Sequence, residues 1–235
     1  MERVLYNAGM IPGVDEVILS KRKRITLTVQ PGGKVILRAP LRTPERTLKG
    51  FAHQNAEWIR LAKAKMQKVP APTPAPSFKD GEKLWMGGEQ YPLHVVPKVP
   101  GGFKWVPGQY FLVEEGRQAQ AGALYKLLLR DEARRQCEAI AARYAQKHGL
   151  KPGKIRINSA RTRWGSCSAN GGLNFSLRLA MTPPECVEYV VVHELAHLAH
   201  HNHSPRFWTL VGEMLPDFAR RRDWLKKNGR YLPPI

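Results

Sequence analysis

The histidine-rich segment between His193 and His203 constrains the fold more than any other feature of the 235-residue chain. It contains the motif HExxH, in which His193 and His197 are four residues apart. In an α-helix such residues lie on one face, one turn apart, so that both imidazoles can bind one metal ion. Glu194 is rotated by about 100° from His193 and can contact water at that ion without being a ligand. The segment therefore predicts a helix that carries a metal site on one face.

A third histidine, His203, follows His197 by six residues. This is the spacing between the second and third ligands in the pattern HExxHxxGxxH. We expect the chain to leave the helix at Asn202, because Asn tolerates the left-handed conformation. His200 and His201 stay open as alternative third ligands, although both are expected to point away from the metal. Three nitrogen ligands leave one position of a tetrahedral zinc ion free for water, as in catalytic sites.

The residue types around the motif predict hydrolysis by a metal-activated water. Zinc lowers the pKa of bound water to about 7, and Glu194 is then the expected general base. Arg161 and Arg163 are candidates for stabilising a developing oxyanion, with solvated surface charge as the alternative for each. We expect Cys167 to be a packing residue rather than a nucleophile, because nothing in the sequence places a base beside it.

The order of apolar patterns along the chain predicts an α+β protein. The first half contains a hairpin over residues 25–37, one helix over 44–67 and a Pro/Ala linker over 69–77. Four short strands follow between residues 83 and 113, and a long helix is predicted over 118–147. We expect the strands to pack with the first hairpin. This organisation predicts a β-rich N-terminal region with one helix over residues 1–115 and a second domain over 116–235.

The second predicted domain carries the metal motif. Two strands are predicted at residues 155–158 and 173–179, and the motif helix should begin with a capping box of Thr182 and Glu185. Ser204-Pro205 should open the next helix, and a last helix is predicted over 217–227.

The formal net charge of +19 is larger than solubility requires. It favours nucleic acid or another polyanion as a partner, with a basic surface that has no dedicated anion as the alternative. The three cysteines are odd in number and widely spaced, which indicates a reducing compartment. The N-terminal residues do not resemble a secretory signal, and no apolar run is long enough to span a membrane. We therefore expect a cytoplasmic protein without membrane contact.

Several segments together resemble the YgjP-like metallopeptidase family, which is related to the SprT-like zincin proteases. They are Arg163-Trp164-Gly165-Ser166-Cys167, Leu173-Asn174-Phe175-Ser176-Leu177, His193-Glu194-Leu195-Ala196-His197 and Asn202-His203-Ser204 with Phe207-Trp208. The resemblance extends over nearly the whole chain. It implies a zincin-like domain that combines a small antiparallel sheet with an HExxH active-site helix.

The same resemblance implies roles for particular residues. His193, His197 and His203 would be the zinc ligands, and Glu194 the catalytic acid and base. The strand at 173–179 would lie at the sheet edge and pair with an extended peptide or protein substrate, with an interior position as the alternative.

Three functions remain open at the level of the sequence. The first is a zinc metallopeptidase, and the second is a zinc hydrolase of a nucleotide or another phosphate ester or anhydride. The basic clusters Lys21–Arg24 and Arg220–Arg222 favour the second. The third is a nucleic-acid-binding module with a structural zinc, which would have no use for Glu194 as a base.

Overall fold

The computed structural model describes residues 4–7, 11–30, 32–67 and 73–235. The fold is mixed α/β, and the chain divides into two compact units, Met1–Pro72 and Thr73–Ile235. The candidate metal-binding residues all belong to the second unit. Within the described ranges, no helix combines the length and the apolar character needed to cross a membrane.

The first unit is a four-stranded sheet covered by helices. The strands are β1 (Val4–Asn7), β2 (Glu16–Ser20), β3 (Thr26–Val29) and β4 (Val35–Pro40), in the spatial order β1-β2-β4-β3. β3 and β4 form the predicted antiparallel hairpin, and β2 lies parallel to β4. The core combines Val17, Val35 and Leu37 of the sheet with Leu48 and Ile59 of the helices.

The prediction of a single helix over residues 44–67 is wrong, because the structure has two helices there, α1 (Glu45–Gln54) and α2 (Ala56–Gln67). Asn55 interrupts them, because its side-chain Nδ2 donates to the carbonyl of Phe51 at 2.8 Å and competes with the regular backbone pattern. Of the predicted linker over 69–77, residues 69–72 lie outside the described residues. Residues 73–77 have no regular secondary structure.

The second unit begins with its own four-stranded sheet, in the order β5-β6-β8-β7. The strands are β5 (Lys83–Met86), β6 (Glu89–Val96), β7 (Phe103–Val106) and β8 (Tyr110–Glu114). They pack on the long helix α3 (Gln118–His148), with Leu84, Leu93 and Phe111 in one core with Tyr125 and Leu129. The predicted domain boundary after residue 115 thus falls inside this unit, where apolar side chains on both sides of it share one core.

A second sheet contains β9 (Ile155–Asn158), β10 (Gly165–Cys167) and β11 (Leu173–Ser176), in the order β10-β11-β9. β11 is antiparallel to β10 but parallel to β9, so the sheet is mixed rather than antiparallel. The prediction that residues 173–179 form an edge strand is wrong. β11 is the central strand and ends at Ser176, before a 3₁₀ helix over Leu177–Met181. The edges of this sheet are β9 and β10, and β10, with three residues, is short, as edge strands often are.

The remaining helices are α4 (Pro184–Ala196), α5 (Pro205–Met214) and α6 (Phe218–Asn228). Their apolar faces share a core with β11, which includes Phe175, Val187, Val191, Leu195 and Phe207. The predicted capping box is absent from α4. The hydroxyl of Thr182 donates instead to the carbonyl of Leu179 at 2.8 Å, and Pro183 is the N-cap without a side-chain bond.

Candidate metal centre

Helix α4 and the loop after it bring His193, His197 and His203 together. His193 lies in the last turn of α4, His197 is its C-cap, and His203 follows in the loop before α5. One ligand atom from each lies within 4.8 Å of the other two, and the Nε2 atoms of His193 and His203 are 3.1 Å apart. This geometry brings the three predicted ligands to one point. In the part of the chain that the structure describes, no other group of His, Cys, Asp or Glu side chains is arranged to hold an ion.

The loop differs from its prediction in where the helix ends. α4 ends at Ala196, and turns over residues 197–199 continue its path through backbone bonds such as Ala199 N–H to the Ala196 carbonyl at 3.1 Å. Asn202 is not in the left-handed conformation; its Oδ1 accepts a hydrogen bond from the Ser204 N–H at 3.3 Å. The turn toward His203 is therefore built from short helical turns and an Asn side chain.

The His200 backbone fixes the orientation of one imidazole. The Nδ1 atom of His197 lies 3.0 Å from the carbonyl oxygen of His200. Because a carbonyl only accepts, Nδ1 must carry the proton, which leaves the Nε2 lone pair free for a metal. His200 thus contributes through its backbone, and neither His200 nor His201 belongs to the convergent group.

The electrostatic surroundings favour neutral imidazoles. Burial lowers the pKa of His193 to about 3, and the charges of His197, His203 and Arg222 act in the same direction. Burial also lowers the pKa of His197. The Nδ1 atom of His193 is buried without a hydrogen-bond partner in the described residues. Neutral nitrogens that converge in this way can accept a divalent cation without first releasing protons.

Glu194 is buried beside this cluster, with 6% of its surface exposed. Its carboxylate lies against the backbone of β10: a Cβ atom on Gly165 would be 2.6 Å from Glu194 Oε1. Burial raises the pKa of Glu194 to about 7, while a hydrogen bond from the Cys167 backbone and the charge of Arg163 oppose that rise. The carboxylate thus lies against β10 and lines the same cavity as His193.

Two cavities flank the centre, and β10 borders both. One, of about 210 Å³, is lined by Trp164, Gly165, Tyr189, Val190, His193 and Glu194. The other, of about 490 Å³, is bordered by Cys167 and His197. Gly165 and Tyr189 line the site but are not part of the predicted motif. A glycine at this position could have indicated such a site, because glycine often marks a place where another group approaches the backbone closely.

The remaining candidates occupy different places. Arg163 is exposed and close enough for its charge to act on Glu194. The carbonyl of Arg161 accepts a hydrogen bond from Arg178 Nη1 at 3.0 Å, and Arg161 acts electrostatically on Arg178. Cys167 is partly buried, and burial raises the pKa of its thiol. Arg163 is therefore better placed toward the centre than Arg161.

A family model described as "YgjP-like, metallopeptidase domain" matches residues 23–228. None of the curated proteins matches the chain significantly. The chain shares 24% identity with the metallopeptidase zymogen of Pyrococcus abyssi abylysin, over 41% of this chain and 98% of that one, at a TM-score of 0.36. Because the family model spans most of its length, the chain belongs to the YgjP-like metallopeptidase family.

Proposed function

We propose that this protein is a zinc-dependent peptidase with a zincin-like catalytic domain. His193, His197 and His203 hold the ion in this proposal, and Glu194 is the general base. The convergence of three imidazole nitrogens beside one buried carboxylate is the observation that carries it. Membership of a metallopeptidase family supports the choice of a peptide bond as the target.

The donor set fits a divalent metal such as zinc. Imidazole nitrogen is a preferred zinc donor, and three such ligands are typical of catalytic zinc sites. The hydrogen bond from His197 Nδ1 to the His200 carbonyl resembles the supporting contacts that metal-bound histidines usually make. A bound zinc ion would supply Lewis acidity that acidifies water and polarises the scissile carbonyl.

Proton transfer is then the role of the side chains around the ion. Glu194 accepts a proton from the attacking water and passes it to the departing amine. Because Gly165 has no side chain, the Glu194 carboxylate packs against the backbone of β10, where the Cys167 backbone opposes the rise of its pKa. Arg163, whose charge acts on Glu194, is our candidate for stabilising the oxyanion.

The edge position of β10 supports an extended peptide as the substrate. β10 pairs with β11 on one side only, and both cavities border it. A peptide added along this edge would run past both cavities, one of which is lined by His193 and the other by His197. Backbone pairing of this kind binds unfolded or extended segments with little dependence on sequence.

The test compares wild type with Glu194→Gln. Purified protein should contain about one zinc per chain and should cleave an unfolded protein such as denatured casein. The variant should keep the zinc and the fold while it loses activity by about 10²–10⁴-fold. Hydrolysis of nucleoside triphosphates but not of casein, lost in the same variant, would replace the peptidase with the phosphate-ester alternative. Full casein cleavage by the variant would remove Glu194 from the mechanism.

A further inference from the structure

The three consecutive arginines of α6 differ in what they contact. Arg220 Nη2 and Arg221 Nε each lie 2.8 Å from a carboxylate oxygen of Asp217, and Arg221 also pairs with Glu188. Arg222 has no carboxylate within 4.0 Å in the described residues. Its cationic group is therefore the one of the three without an anionic partner in that part of the chain.

Two aromatic rings hold the guanidinium of Arg222. Its Cζ atom lies 5.2 Å from the ring centroid of Trp208 and 5.8 Å from that of Phe218. These rings stack on each other, with centroids 5.5 Å apart and an interplanar angle of 18°. Cation–π contacts position the planar group while its N–H donors stay available for an anion.

This aromatic stack continues into the metal centre. The ring of Trp208 is stacked on His203 at 5.7 Å and lies 5.8 Å from the ring of His193. Burial raises the pKa of Tyr189, which lines the cavity next to Glu194, to about 12, and the charge of Arg222 opposes that rise. Arg222 therefore lies on the His193 side of the centre, separated from two of the three histidines by a single aromatic ring.

We propose that Arg222 binds a carboxylate of the substrate next to the cleaved bond. This inference rests on the proposed peptidase function. A guanidinium matches a carboxylate through two parallel N–H···O bonds, which makes arginine selective for planar anions. The carboxylate comes either from an acidic side chain or from the C-terminus of the peptide. In both cases the enzyme prefers substrates with a negative charge on the His193 side.

A binding experiment tests this without turnover. The zinc-loaded Glu194→Gln protein is titrated with two series of otherwise neutral peptides. In the first series Glu or Gln occupies each position in turn, and in the second the C-terminus is a free acid or an amide. In one of these pairs, the peptide with the carboxylate should bind about tenfold more tightly than its neutral counterpart. The series in which this preference occurs shows whether the charge comes from a side chain or from the C-terminus.

Variants then assign the preference to its residue. Adding Arg222→Gln should abolish the tenfold difference, whereas the matched control Arg220→Gln should keep it. Thermal melting monitors the fold of both. Equal binding within every pair, or a preference that survives in Arg222→Gln, would overturn the proposal.

Cleavage by the wild-type enzyme separates this inference from the proposed function. If peptides are not cleaved but the carboxylate preference depends on Arg222, the peptidase proposal fails and the anion site stands. If peptides are cleaved without any charge preference, the peptidase proposal stands and the anion site fails.

Discussion

The carboxylate of Glu194 occupies the position that a side chain on residue 165 would need. A Cβ atom at Gly165 would lie 2.6 Å from Oε1 and 2.9 Å from Cδ of Glu194. Real Cβ atoms essentially never approach other atoms so closely, so one of the two groups would have to move. Strand β10 and helix α4 can therefore approach each other at this point only because residue 165 has no side chain.

Gly165→Ala should therefore displace Glu194 without removing a ligand. We expect zinc to stay bound while peptide hydrolysis falls by about 10²-fold or more, because a general base must be within hydrogen-bond reach of its proton. Metal analysis, thermal melting and turnover test this together. Gly50→Ala in α1 is the control, since nothing lies within 4 Å of the added Cβ. Full activity in the Gly165 variant would show that the carboxylate position is not critical.

The three histidines should differ from their neighbours in metal binding. Zinc affinity should fall by more than about 100-fold in each of the variants His193→Ala, His197→Ala and His203→Ala. Substitution of residues that only support the ligands already lowers metal affinity by about 10–100-fold. His200→Ala should retain zinc, because His200 contributes its backbone carbonyl, which alanine also has. Zinc content after dialysis against a weak chelator measures both results. Retention of zinc by the His203 variant would move the third ligand to another residue.

The guanidinium of Arg178 holds three carbonyl groups together. It donates to Arg161 at 3.0 Å and to Gly229 and Leu232 at 3.0 and 3.3 Å, and its Cζ lies 5.1 Å from the ring centroid of Trp164. Arg178→Met should lower the free energy of unfolding by about 2–4 kcal/mol, because the carbonyls lose a charged donor.

Denaturant titration measures this loss. The exposed Arg220→Met, which removes one surface ion pair with Asp217, should change the same free energy by about 1 kcal/mol or less. Equal losses in the two variants would contradict a special role for Arg178.

The three cysteine thiols should be alkylated slowly in the native protein, with Cys167 before the other two. Burial raises the pKa of Cys137 and of Cys186 to about 12, so that at pH 8 either holds about 10³-fold less thiolate than a free cysteine. Cys167 is only partly buried and should be alkylated first, although burial raises its pKa as well. Peptide mapping after timed alkylation of the native protein gives the order. Earlier labelling of Cys137 or Cys186 would contradict this packing.

The spacing of the site residues could be read from the sequence because it is local. Four residues separate His193 from His197, and helical geometry alone then places both side chains on one face. The position of His203 depends on a short loop, and its spacing from His197 was enough to predict that it lies beside the other two histidines. The end of the helix was predicted less well, since it lies at Ala196 rather than at Asn202.

Features set by distant residues were harder to predict. The central position of β11 depends on its pairing with both β9 and β10, and an alternating apolar pattern does not reveal strand order. The fit of Gly165 against Glu194 joins residues 29 positions apart, and only the folded chain shows which backbone approaches the carboxylate. The break at Asn55 arises from a side-chain bond to Phe51 that helical periodicity does not detect.

The contact between His197 and the His200 carbonyl couples the end of α4 to metal affinity. Fraying of residues 197–200 would release the imidazole from its orientation, and a bound ion would in turn hold those residues in place. Amide hydrogen exchange in this short segment should consequently slow when the metal binds. The end of the helix then reports metal occupancy at equilibrium, before any substrate is added.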